Sequence, residues 1–192
     1  MSISASERKR ALVEAATAQM RALEARGVVV AGNGFSPIVL VKGELNEDER
    51  AGGELLAGAD GAALRAALSA IGWAPEDFCG LAGVLGPGDG LVEHPGRSMS
   101  PELFREALEA LDPEAVVLLD AAASDLMREA YADDLAAVDD FNAAMLTPGL
   151  VVPVLGRRAL AVGGFEEALS DPHRKQVAWA YLKQLPPLGA PY

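Results

Sequence analysis

The residues with most chemistry in them lie between Val41 and Gly61, where the row reads VKGELNEDERAGGELLAGADG. Glu44, Glu47, Asp48 and Glu49 are types that could bind a divalent cation or serve as a general acid or base. A calcium loop places its oxygen ligands at alternating positions. This run does not, and it reads as a solvated acidic loop. Arg157 and Arg158 could grip a phosphate or an acidic partner through forked hydrogen bonds, although paired arginines are also common on surfaces. His94 and His173 have no Ser or Cys nucleophile with an Asp in an evident arrangement, so both read as bystanders. Cys79, in a strand-like run, reads as a small buried residue rather than a reactive thiol.

Bulk composition narrows the classes. A net charge of −12 opposes tight binding to a nucleic-acid backbone, which needs clustered Lys and Arg to displace counterions. It does not forbid a local basic patch. Apolar residues make up 51% and charged residues 23% of the chain, the balance of a globular protein rather than a disordered one. At 192 residues it suits a single domain over residues 1–192, able to bury roughly 70% of its unfolded surface. Cys79 is the only cysteine, which excludes an intrachain disulfide and a four-thiolate iron–sulfur or zinc site. The opening MSISASERKR lacks an apolar signal core, and no stretch reaches the ~20 apolar residues of a membrane span. The expectation is a soluble, cytoplasmic protein with no membrane partner. Neither a phosphate loop nor a dinucleotide fingerprint occurs, and no cofactor or metal is expected.

These residues must be positioned by the elements around them. Residues 4–26 read as a helix, opened by a Ser4/Glu7 capping box, striped by Leu12, Ala16, Met20 and Leu23, and stopped by Gly27. Residues 28–31 and 38–41 are short β-branched runs, and Gly32-Asn33-Gly34 between them signals a hairpin. Asp60 is placed to cap a helix carrying Leu64, Leu68 and Ile71 that ends at Gly72. Residues 78–85 form a weak strand, and 86–99 a long Gly- and Pro-rich loop. Ser100-Pro101 opens the next helix, 115–119 is an apolar strand, and 122–131 a helix. An acidic loop follows at 133–140, where Asp133, Asp134, Asp139 and Asp140 surround Leu135 and Val138. Residues 150–155 read as the last strand, and Asp171-Pro172 caps a final helix. Trp73 and Trp179 read as packing residues, with Trp179 the better placed for a partner contact. Strands alternating with helices predict an α/β domain of three layers around a mostly parallel sheet.

The order and spacing resemble the uracil-DNA glycosylase superfamily, most closely its iron–sulfur bacterial branch. VVVAGNGFSPIVLV resembles the paired opening strands of that family. Gly53, Gly58 and Gly61 fall where it carries Gly–(Arg/Lys)–Pro–Phe–Val–Gly–x–(Ala/Ser)–Gly, and DPHRKQVAWAYLKQL, preceded by LVVPVL, resembles its closing helix. Carried over position by position, the functional residues are missing. The first motif, Gly–Glu–x–Pro–Gly, puts Gly43 where the acid belongs, with Leu45 and Asn46 at the following Pro and Gly, while a one-residue slip recovers Gly43-Glu44. The base-stacking Phe falls on Leu56 and the base-reading Asn on Ala82. Gly156, Arg157 and Arg158 stand where His–Pro–Ser stabilises the departing base, and the four cluster cysteines are absent.

Excision of a flipped base needs a stacking wall, hydrogen bonds to the base edge and stabilisation of a departing anion. A leucine, an alanine and a glycine supply none of these. The resemblance therefore implies a catalytically inactive relative, serving as a protein-interaction or regulatory module with an unidentified protein partner. Two alternatives stand beside it. One is a divergent glycosylase or reader of a modified base, using Glu44 or Asn46 against Arg157 or Arg158. The other is a small-molecule binder with a cleft at the carboxyl ends of the strands. A basic stripe beside an open cleft would favour the reader, a closed cleft with an apolar patch the interaction module, and an open cleft in an acidic surface the small-molecule site.

Overall fold

The computed structural model describes residues 4–89 and 94–189. In chain order the elements are α1 (Ala5–Ala25), β1 (Val30–Gly32), β2 (Ile38–Lys42), α2 (Glu47–Arg50), α3 (Ala59–Ala70), β3 (Cys79–Ala82), α4 (Pro101–Leu111), β4 (Ala115–Leu118), α5 (Ala121–Ala130), α6 (Ala132–Ala136), α7 (Phe141–Ala144), β5 (Val151–Val154), β6 (Arg157–Ala161), α8 (Phe165–Ala168) and α9 (Pro172–Leu182). Locally encoded boundaries fall where the residues place them. Ser4 Oγ accepts the Glu7 N–H at 3.2 Å while Glu7 Oε2 accepts the Ser4 N–H at 2.7 Å, closing α1. Ser100 and Asp171 cap α4 and α9 through the Leu103 and the His173 and Arg174 N–H groups.

The strands form one sheet in the order β1-β3-β2-β4-β6-β5. The four inner strands are mutually parallel, and β1 and β5 run antiparallel at the edges. Both central strands, IVLVK and AVVL, are buried at every position, as expected of parallel strands covered on two faces. Alternate residues supply the two cores. Val39, Val41, Val116 and Leu118 face Phe104, Leu108, Leu126 and Met127 of α4 and α5, together with Leu23 of α1. Ile38, Leu40, Ala115 and Val117 face Leu64, Leu68, Phe165, Ala178 and Leu182 of α3, α8 and α9. The expected α/β architecture with a mostly parallel sheet between helical layers is therefore present.

Four local expectations need correction. Gly32-Asn33-Gly34 turns the chain, with Asn33 Oδ1 accepting the Phe35 N–H at 3.0 Å, but β1 and β2 do not form a hairpin, because β3 inserts between them. Residues 150–155 are not the last strand. β6 follows immediately, and its leading Arg157 and Arg158 obscured an otherwise apolar run. The amino cap of α3 is Gly58, and Asp60 lies inside the first turn. Part of the acidic stretch 133–140 is helical in α6, with Leu135 buried beneath it. Within the expected loop 86–99, residues 90–93 lie outside the described residues.

The glycine frame has a steric reason at Gly61, where a Cβ would sit 1.7 Å from the Leu56 carbonyl oxygen. Propensity alone would have Gly61→Ala stabilise helix α3 by about 1 kcal/mol. The backbone clash predicts the opposite sign, a loss of about 2–4 kcal/mol. Urea unfolding of the variant reads that sign directly.

Candidate functional site at the carboxyl ends of the strands

The sheet order puts β2 between β3 and β4. The connection leaving β2 passes through α3 on one face to β3, whereas the one leaving β4 passes through α5 on the other face to β6. Such a reversal opens a crevice outside the carboxyl ends of the two strands. A polar cavity of about 200 Å³ lies there, lined by Lys42, Glu44, Asp60, Asp120, Phe165 and Glu166 among others.

Lys42, the last residue of β2, is only 3% exposed. A buried ammonium must be paired and hydrogen-bonded or it loses its proton. Its Nζ donates to Asp60 Oδ2 at 2.6 Å, Glu49 Oε2 at 2.8 Å and Glu166 Oε2 at 2.9 Å. Burial pulls the Lys42 pKa down, but the bonds to Asp60, Glu49 and Glu166 outweigh it and hold the pKa well above the usual lysine value. Two of the three carboxylates are also fixed by backbone. Glu49 accepts the Asn46 and Leu56 N–H groups at 2.9 and 2.8 Å, and Asp60 Oδ1 accepts Gly61 N–H at 2.8 Å. Glu166, half exposed, reaches in from α8. The carboxylates converge on an ammonium, and no group of three or more His, Cys, Asp or Glu arranged to hold a metal ion occurs among the described residues.

Asp120 performs the second fixation. Its Oδ2 accepts the N–H groups of Gly43 and Glu44 at 2.8 and 3.1 Å, and its Oδ1 accepts that of Ala123 at 2.8 Å. The segment leaving β2 is thereby pressed onto the start of α5. Only glycine fits at Gly43, because a Cβ there would lie 2.4 Å from the Ala123 nitrogen. A second cavity of about 540 Å³ adjoins the first, with Leu45 and Arg50 bordering both. Its wall is largely apolar, including Val29, Leu55, Ala82, Val84 and Leu85.

The residues singled out from the sequence divide between two ends of the sheet. Gly43, Glu44, Asn46 and Ala82 gather at the carboxyl ends. Glu44 is exposed there, while Asn46 spends its side-chain oxygen on the Glu49 N–H at 3.0 Å, capping α2. Leu56 lies beneath, fully buried with φ 57. Gly156, Arg157 and Arg158 do not join them. They form the tight β5–β6 turn and the start of β6, where Arg158 pairs in register with Ala115 at the amino end of β4. Arg157 is buried and forks onto Glu109 at 2.8 and 3.1 Å, with Asp112 at 3.1 Å. Arg158 binds Glu114 and the Pro186 carbonyl. The segment that follows the last strand at the carboxyl end is residues 162–165.

Other expectations resolve individually. Glu47 and Asp48 are exposed as a solvated run would have them, but Glu49 is buried, because α2 folds it back onto Lys42. His94 and His173 are exposed. Burial pushes the Cys79 thiol up to about 12, so it is not a nucleophile at neutral pH. Trp73 is buried and donates to the Leu185 carbonyl at 2.8 Å, and Trp179 is half-buried on α9. Lys42, Asp60, Asp120 and Glu166 were not read as a site. The available signal was Lys42 itself, a charge ending a strand buried throughout, which demands counter-charges from elsewhere.

Two outcomes follow. Replacing Lys42 by Met leaves Glu49 and Asp60 as buried unpaired charges and lowers stability by about 3–5 kcal/mol, read by chemical denaturation. The folded-state pKa of Lys42 lies above its unfolded value, so its contribution is complete below the ordinary lysine range and is lost only as pH rises through the folded value. At the other end, Arg157 holds the Glu109 carboxyl below its usual range. That stabilisation is present above the ordinary glutamate pKa and fades as pH falls through the folded value. In a pH series of denaturation midpoints, Arg157→Met should remove that part of the acid dependence.

No protein-family model matches this chain, and no curated protein matches it in a search by similarity.

Proposed function

We propose that this chain is a uracil-DNA glycosylase-like domain that no longer excises bases and instead binds a small molecule in the crevice above β2 and β4. The observation that carries this reading is the open pair of cavities at the strand switch, set in an acidic surround. Glu44, Asp120, Glu166 and Glu167 line the polar part, with Arg50 the exposed cation. A nucleic-acid reader needs a basic track beside its cleft, and Arg157 and Arg158 lie at the far end of the sheet, committed to Glu109, Asp112 and Glu114. Base excision also lacks support at the reacting positions, since Leu56 is buried in the core and Ala82 offers only a methyl group.

The lining suggests the ligand. An apolar wall with a few convergent polar groups suits a compact heterocycle. Carboxylates at the polar end favour hydrogen-bond donors or a positive charge on the ligand and repel phosphates and carboxylates. A role in protein contact has separate support from the exposed Phe141 and Met145.

A thermal-shift titration with heterocyclic amines, heterocyclic carboxylates and nucleoside phosphates tests the reading. Amines should raise the unfolding temperature saturably, with about 2.7 kcal/mol of stabilisation at a hundredfold excess over Kd. Leu45→Trp, which fills the wall common to both cavities, should abolish that response. Silence toward every amine, together with uracil-dependent oligonucleotide binding or release of free uracil, would overturn it.

A further inference from the structure

Helix α1 is much longer than its support. Its 21 residues extend about 31 Å, yet only the carboxyl-terminal turns are anchored. Leu23 is buried, Met20 packs on the core below α4, and Arg26 bonds Glu106 at 2.7 Å. Residues 6–15 are exposed at every position. The apolar stripe does not stop where the support does, for Leu12 is 72% and Val13 44% exposed. Beside them Arg8, Lys9 and Arg10 outnumber Glu7 and Glu14 and form the only run of three consecutive Lys or Arg residues in a chain of net charge −12. A helix without tertiary packing is marginal in water, so this apolar and basic half-helix is an element lacking its cover.

The complementary surface lies on the same side of the sheet. Phe141 (74% exposed) and Met145 (43%) are four residues apart at α7 and share one face. Asp139 and Asp140 are exposed immediately before Phe141, and Asp133 is exposed on the preceding helix α6. Leu135 and Leu146, which underlie this patch, belong to the same core as Leu23 beneath α1. Within one copy the two surfaces leave each other uncovered: Leu12, Val13, Phe141 and Met145 are all exposed, and α1 is held by α4 whereas α7 is held by β5.

We propose that the amino-terminal half of α1 is an exchange arm between two copies of this chain. Leu12 and Val13 of one copy cover Phe141 and Met145 of the other, and Arg8, Lys9 and Arg10 meet Asp133, Asp139 and Asp140. One helix face is a small contact, and reciprocal exchange about a two-fold axis doubles it. The charges choose the occupant, since an acidic surface attracts this arm whereas the body of the chain repels a polyanion.

Sedimentation velocity on the full chain tests this. The expected result is a concentration-dependent species of twice the 19.9 kDa chain mass, weakened by salt as exposed ion pairs are. Leu12→Glu and Phe141→Glu should each weaken dimerisation at least about tenfold. Both positions are surface-exposed in one copy, so near-ultraviolet circular dichroism, which reads the packed core, should be unchanged, and any loss of far-ultraviolet helicity is limited to the freed half of α1. Arg8→Glu with Arg10→Glu should weaken it similarly, and adding Asp133→Lys with Asp139→Lys should restore it. Cys79 is buried, so a chain carrying Leu12→Cys and Phe141→Cys should form disulfide-linked dimers that neither single variant forms. A monomer at all concentrations, a dimer indifferent to both Glu variants, or an arm that responds only to added oligonucleotide would overturn the proposal.

Discussion

The buried ammonium of Lys42 organises the end of the molecule that carries the crevice. Three carboxylates meet it from three separate segments: Glu49 on α2, Asp60 at the start of α3 and Glu166 on α8. α3 and α8 also share the apolar core beneath through Leu64 and Phe165, and at the crevice the cation is where all three segments meet. Removing one partner from such a cluster costs more than the cluster gains over an apolar replacement. Its presence is therefore better explained by what it shapes than by stability. It fixes one wall of the polar cavity, while Asp120 fixes the opposite wall by clamping the Gly43 and Glu44 amides to the start of α5.

Two glycines make this arrangement sterically possible. Gly43 lets the chain leaving β2 run against α5, and Gly61 lets α3 pack on the Leu56 carbonyl. Both glycines are set by backbone contact, whereas the nearby Leu56 is buried in the core and Ala82 ends β3 with only a methyl group. The crevice thus owes its shape to backbone approach and its polarity to Lys42, Asp60 and Asp120.

Locally encoded features were legible in the sequence. Ser4/Glu7, Ser100 and Asp171 bond backbone groups two or three residues away, so their types and spacing suffice. The apolar runs of β2 and β4 and the stripe of α4 needed nothing more. What failed depended on partners distant in the chain. Gly32-Asn33-Gly34 does turn, but the strand that pairs with β1 arrives only at Cys79. β6 was missed because its first residues are arginines, and these are satisfied by Glu109, Asp112 and Glu114 in another helix and its cap. The same blindness grouped residues that the fold separates, setting Gly156, Arg157 and Arg158 beside a crevice that lies at the opposite end of the sheet. The Lys42 cluster was invisible for this reason too: each acid looks like a surface residue until the fold turns it inward.

The account stands most directly on where a ligand binds. Amide chemical-shift mapping by NMR, with a heterocyclic amine titrated into the ¹⁵N-labelled protein, reads that location residue by residue. The account predicts saturable shifts confined to the lining of the two cavities, among them Glu44, Leu45, Ala82, Val84, Asp120 and Glu166, with Arg157 and Arg158 unmoved. Shifts absent from that set, or centred on Arg157 and Arg158 on adding an oligonucleotide, would contradict it.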